Sequence, residues 1–174
     1  MTTRRTVLRK SAAVTLGAAA LGAFVPAASA EAHTSDARQQ NRLRAQQCAE
    51  IVGVLKNYER SLNAGDVAGV VRLYTDDAVF LPPQAPTAVG IDAVRATYAG
   101  LFQTLRLDLT FEIAEVNVVS PDWAFLRSSS TGVATVLANG TQVPSSNHEL
   151  FVLQRIHGRW KLARYSFSSV LPSA

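Results

Sequence analysis

The chain has 174 residues, 48% of them hydrophobic and 17% charged, with a formal net charge of +4; that is room for one domain with one well-filled core, and it argues against disorder and most large catalytic folds. The whole positive excess sits in Arg4, Arg5, Arg9 and Lys10. Without residues 1–30, which hold no acid, the 17 basic side chains fall by four to 13, equal to the 13 acidic ones, so a nucleic-acid or anionic-membrane role loses the concentrated positive field it needs.

At the amino terminus, Thr3-Arg4-Arg5-Thr6-Val7-Leu8-Arg9-Lys10 precedes a mildly apolar stretch from Ser11 to Val25 and the small residues Ala28-Ser29-Ala30. That layout is an export signal cleaved after Ala30, giving a signal over 1–30. It resembles a twin-arginine signal with Val7 where that motif prefers Phe, which implies bacterial export of a folded protein to a secreted or extracytoplasmic location. A general secretory signal with two arginines is the alternative. The apolar stretch falls short of the about 20 residues a bilayer span needs, so no membrane anchor is expected. Cys48, the single cysteine, lies too far beyond it to carry a lipid and has no disulfide partner.

Residues 31–40 are polar and aperiodic and read as a flexible lead-in to a domain over 41–174. Within 41–64, Cys48, Ile51, Leu55, Tyr58 and Leu62 recur every three or four residues, the mark of a helix with one buried stripe. Gly65 suits its left-handed end, and Asp66 caps a second helix over 66–75. Ala78 to Leu81 is a short apolar run stopped by Pro82-Pro83, a loop follows to Gly90, and a third helix spans 91–104 with Asp92 in its first turn. From there the period is two. Phe111 to Val119, Trp123 to Leu137, Glu149 to Ile156 and Trp160 to Val170 read as strands, separated by Ser120-Pro121-Asp122, the loop at Asn139-Gly140, and His157-Gly158. The expected fold is therefore α+β: three amino-terminal helices packed on a curved antiparallel sheet of four to six strands that forms a cone with one open mouth. Alternating apolar residues over Val116–Val119 and Val133–Leu137 suit a second copy on the outer sheet face, so a homodimer is expected.

Four segments carry a family resemblance: Tyr58-Glu59-Arg60-Ser61-Leu62-Asn63-Ala64-Gly65-Asp66, Leu73-Tyr74-Thr75-Asp76-Asp77-Ala78-Val79, Gly90-Ile91-Asp92-Ala93-Val94 and Gly158-Arg159-Trp160-Lys161-Leu162. Together they resemble the SnoaL-like members of the nuclear transport factor 2-like superfamily, which holds isomerases, dehydratases, cyclases and plain binding modules. Comparison with ketosteroid isomerase places Tyr58 on that family's oxyanion-hole tyrosine, with Tyr74 on the second helix and Tyr98 on the third as phenols bonding behind it. A phenol that also accepts hydrogen bonds is a stronger donor to a developing enolate in a dry cavity. The family's Asp base aligns with Pro82, which moves no proton. The family's second acid falls near Leu150 by ungapped counting, or on His148 if the last hairpin is two residues longer.

His148, with the right strand parity, is thus the candidate base beside Tyr58 as donor. Glu149 is placed in the substrate-binding set and would need burial to serve as a base; as neighbours on a strand the two point to opposite faces. A surface histidine beside a structural salt bridge is the alternative for the pair. On Trp123 to Thr131, the comparison assigns Phe125, Arg127, Ser129 and Thr131 to the cavity, where Arg127 would meet an oxygen-rich ligand or a carboxylate such as Glu112, Glu115 or Glu149 and dominate selectivity. The opposite reading leaves that face convex. Phe80 and Tyr165 join the substrate-binding set, Tyr58 can equally be a core tyrosine, and Asp76-Asp77 are expected to serve a turn or cap. Three scattered histidines make no metal site, and no phosphate loop or Ser-His-Asp signature is present. The expected activity is cofactor-independent isomerisation, cyclisation or dehydration of a small apolar or amphipathic carbonyl- or hydroxyl-bearing ligand, with a non-catalytic exported binding or scaffold module as the rival.

Overall fold

The computed structural model describes residues 27–170, and their side chains from 36 to 170. The export signal expected over 1–30 lies outside the described residues apart from positions 27–30. Helix α1 spans Ala27–Asn63. It therefore includes residues 31–40, where a polar lead-in is expected: this stretch has no Gly or Pro and many helix formers, so intrinsic propensity sustains the helix without a buried stripe. Exposure along it fits, because the side chains from 36 to 46 are all exposed and packing begins beyond them. Ile51, Leu55, Tyr58 and Leu62 then form the buried stripe that the spacing predicts.

Gly65 ends the region at φ +64°, and the Asp66 carboxylate accepts a hydrogen bond from the Gly69 N–H at 2.8 Å, capping helix α2, Val67–Val71. This helix is shorter than expected. Tyr74 is the first residue of strand β1, Tyr74–Leu81, rather than a helical residue, and the neighbouring Leu73 carbonyl accepts from the Leu162 N–H at 2.7 Å. That bond draws the chain into the sheet at a point where aromatic and β-branched residues already favour it. Asp76 and Asp77 consequently sit in β1, exposed, with Asp77 facing Arg164 at 3.6 Å, and not in a turn. A two-residue strand β2, Ala88–Val89, precedes helix α3, Ile91–Thr104, whose bounds match the expectation and whose first turn holds Asp92.

Strands β3 (Leu105–Ser120), β4 (Trp123–Val136), β5 (Gln142–Ile156) and β6 (Arg159–Ser169) complete a six-stranded sheet in the order β2-β1-β6-β5-β4-β3. The sheet is mixed, because β1 pairs with β6 in parallel while the other pairs are antiparallel. Between β5 and β6 the register slips so that Val152 faces Arg164 but Leu153 faces Leu162, leaving Ala163 unmatched. This bulge resets the alternation, so that Trp160 and Leu162 before it and Tyr165 after it are all buried. Strand β3 is an edge, and α1 protects it. The Asn63 side chain bonds both the carbonyl and the N–H of Leu109, at 2.8 and 2.9 Å, and Glu59 accepts from the Phe111 N–H at 3.2 Å. Asn63→Ala leaves both Leu109 groups without that partner, and we expect it to cost about 1–3 kcal/mol of unfolding free energy in urea denaturation.

Candidate functional site

Between α1, α3 and the inner sheet face lies a cavity of about 360 Å³. Leu62, Leu101, Leu107, Leu109, Phe80, Phe111 and Phe167 make it largely apolar, and Pro82, Pro83 and Ala85 reach it from the loop after β1. Its polar lining comes from Tyr58, Tyr98, Tyr165, Thr97, Thr104, Asn147 and Glu149, with no cationic side chain among the described lining residues.

The three phenols aligned with the isomerase network form one chain of hydrogen bonds. Tyr98 Oη lies 2.8 Å from Tyr58 Oη and 2.8 Å from Tyr74 Oη. Tyr58 and Tyr98 line the cavity, whereas Tyr74 is buried behind them. Two hydrogen bonds among three hydroxyls consume two protons, so when Tyr98 donates to Tyr58 the Tyr58 proton is left over, open to the neighbouring Tyr165 or to a cavity ligand. Burial pushes all four tyrosines, Tyr165 included, well above their ordinary pKa, with neighbouring phenols and Glu149 adding to it. They remain neutral donors at any physiological pH. Phe80 fixes the geometry from the sheet side, stacking between Tyr98 and Tyr165 at centroid distances of 5.2 and 5.1 Å. Tyr98→Phe keeps this stack but strips a partner from two buried hydroxyls, so we expect a loss of about 1–3 kcal/mol in chemical denaturation.

Facing residues on β4 and β5 fix which side chains enter the cavity. Leu126 opposes Phe151, Ser128 opposes Glu149 and Ser130 opposes Asn147, and all six are buried. Glu149 is the carboxylate of the cavity, 5% exposed, with its Oε2 accepting from the Ser128 hydroxyl at 3.2 Å. Desolvation raises its pKa to about 7, against the pull of the Ser130 and Ser128 hydroxyls. A carboxyl in that state accepts or releases a proton near neutrality.

Strand parity puts the remaining expected residues on the other face. Arg127, Ser129, Thr131 and His148 alternate with the buried set, and Arg127, Thr131 and His148 are exposed. Arg127 donates from Nε to Glu115 at 2.9 Å, one of the carboxylates anticipated for it. With Leu150, Ser166 and Ser168, the residues Arg127, Ser129 and His148 line a second groove of about 450 Å³, which shares Glu149 and Phe167 with the apolar cavity. The parity borrowed from the isomerase comparison is thus inverted in β4, and His148 and Arg127 do not reach the apolar cavity. Asn147 and Phe111 are lining residues that the sequence reading missed. Reading β5 from Gln142 instead of Glu149 would have put Asn147 on the face of Glu149, two residues away.

A family model described as a SnoaL-like domain matches residues 55–163. Among solved structures, a ketosteroid isomerase-like protein from Erwinia carotovora atroseptica is 38% identical with a TM-score of 0.70, covering 72% of this chain and 98% of that one. A candidate scytalone dehydratase from Novosphingobium aromaticivorans is 16% identical, with a TM-score of 0.65 and coverage of 76% and 89%. A candidate dehydratase of the NTF2-like family from Streptomyces avermitilis is 17% identical, with a TM-score of 0.63 and coverage of 74% and 99%. At their identities, the last two establish a common fold alone.

Proposed function

The chain belongs to the SnoaL-like domain family, and on that premise we propose that it is an exported, cofactor-independent enzyme that moves a proton on a small, largely apolar carbonyl compound. Glu149 is its base and Tyr58 its hydrogen-bond donor. The observation that carries this reading is the position of Glu149: a single carboxylate, with its pKa raised to about 7, in an aromatic cavity opposite a chain of neutral phenols. It takes the part first considered for His148 and supplies what Pro82 cannot.

The chemistry follows from these groups. The substrate carbonyl oxygen accepts from the Tyr58 hydroxyl, whose oxygen is itself bonded to Tyr98. The Glu149 carboxylate removes a proton from the carbon next to that carbonyl, and the electron pair moves onto the oxygen as an enolate that the phenol stabilises. Returning the proton to a more distant carbon gives isomerisation; transferring it to a departing β-hydroxyl gives dehydration with release of water. A raised carboxyl pKa suits both halves, since the base is ionised above about pH 7 and its conjugate acid still gives the proton back.

The test is a panel of one- and two-ring ketones and hydroxyketones, with binding read by calorimetry and turnover by product analysis in the parent, Tyr58→Phe and Glu149→Gln. Ligands that bind and are converted by the parent but not by Glu149→Gln support the enzyme. Ligands that bind and are never converted favour the exported binding module, a reading motivated by proline at the position of the family base. We also propose a homodimer through the outer sheet face, where Trp123 and Leu150 are exposed. Light scattering at micromolar concentration is expected to give twice the mass of the chain, and a monomer there removes the dimer.

A further inference from the structure

We propose that Ser128 and Ser130 are positioning residues for Glu149, two strand-borne hydroxyls that both donate to its carboxylate, with Asn147 orienting the second. This rests on the reading of Glu149 as the base of the cavity. The geometry is a cross-strand ladder on the inner face, where Ser128 lies opposite Glu149 and Ser130 opposite Asn147. Ser128 Oγ donates to Glu149 Oε2 at 3.2 Å. Asn147 Nδ2 donates to Ser130 Oγ at 3.2 Å and to Ser145 Oγ at 3.2 Å, so both amide protons are committed and the Ser130 oxygen acts towards Asn147 as an acceptor. The Ser130 proton must then find an acceptor of its own. Ser130 is fully buried, and the ionisable acceptor on the neighbouring strand is Glu149. An unused hydroxyl proton there would be costly, whereas a charge-assisted bond to a carboxylate is among the stronger ones available.

The other titratable groups facing Glu149 carry no charge, and none is hydrogen-bonded to its carboxylate among the described residues. They are Tyr58 from α1, Tyr74 from β1, Tyr98 from α3 and Tyr165 from β6, each a phenol that burial keeps protonated. No cationic side chain lines the cavity among the described residues, and Arg127 and His148 lie on the opposite parity of their strands. The two serines therefore set how far desolvation can push the carboxyl. Without them Glu149 would hold its proton to higher pH, and the range in which it can act as a base would move up with it.

The experiment titrates Glu149 directly, by ¹³C NMR of the side-chain carboxyl in ligand-free, glutamate-labelled protein, assigned by the signal missing from Glu149→Gln. Ser128→Ala and Ser130→Ala are each expected to raise the midpoint by about one pH unit, and Ser128→Thr, which keeps the hydroxyl, to leave it near the parent value. An unmoved midpoint in both alanine variants overturns the proposal; should Ser130→Ala fail to fold, the Ser128→Ala midpoint decides alone. Because this readout needs no turnover, it separates the two claims. Raised midpoints in a protein that converts nothing sink the base and keep the clamp, whereas unmoved midpoints with turnover abolished by Glu149→Gln sink the clamp and keep the base.

Discussion

Glu149→Gln is expected to lower kcat/KM by about 10²–10⁴-fold while leaving the fold and ligand affinity close to those of the parent. Glutamine has nearly the same shape, keeps an oxygen that can accept from Ser128, and brings no charge into the cavity. What it lacks is basicity. In the parent, kcat/KM should climb with pH and level off above about 7, since the ionised form of Glu149 is the one that takes the proton. Steady-state rates from pH 5 to 9 check the profile, and an equal profile in Glu149→Gln would assign it to another group. Tyr58→Phe should act in a different way. It removes a donor to the enolate without touching the base, so the rate falls but the position of the pH limb stays.

The second large effect concerns stability. The pKa of Glu149 is about 7 in the folded protein against an ordinary 4.5, so the usual direction for a carboxylate is reversed. Below pH 4.5 the group is protonated in both states and contributes nothing. Between 4.5 and 7 the unfolded chain loses the proton while the folded chain keeps it, which favours unfolding as pH rises. Above 7 the full difference, about 3 kcal/mol, counts against the fold. Glu149→Gln removes this penalty. Urea denaturation should find the variant more stable than the parent by about 2–3 kcal/mol at pH 8 and equal to it at pH 4. Equal stability at both pH values would mean that Glu149 ionises without strain in the fold, and its use as a raised-pKa base would go with that result. A group that destabilises the protein in its working state is what a site built for proton transfer, rather than for stability, is expected to contain.

Several elements were legible in the sequence because one local signal determined each. The stripe from Ile51 to Leu62, the glycine at 65, the Asp66 cap and the bounds of α3 all depend on neighbours within a turn or two. The phenol chain was legible through the family resemblance, and the structure joins Tyr58, Tyr74 and Tyr98 as that resemblance implied. What failed was parity. Alternation along Trp123 to Thr131 separates two faces but does not say which is inside; that depends on pairing with β5, where Leu126 meets Phe151 and Ser128 meets Glu149. The isomerase comparison left the serines at 128 and 130 on the outer face, yet they are buried, and a carboxylate and an amide meet them across the ladder. The parallel β1–β6 pairing is likewise a contact between the two ends of the domain, beyond any local window.

The most direct measurement of the central claim is hydrogen–deuterium exchange at the carbons flanking the carbonyl of one- and two-ring ketones in D₂O, followed by ¹H NMR with the parent and Glu149→Gln side by side. This reads proton removal itself, whatever product follows. Catalysed exchange is expected with the parent, at a rate that rises through about pH 7 as the Glu149 carboxyl ionises, and exchange at the uncatalysed rate with Glu149→Gln. Ketones that saturate the cavity yet exchange no faster with the parent than in buffer, or equally fast with both proteins, would contradict that claim.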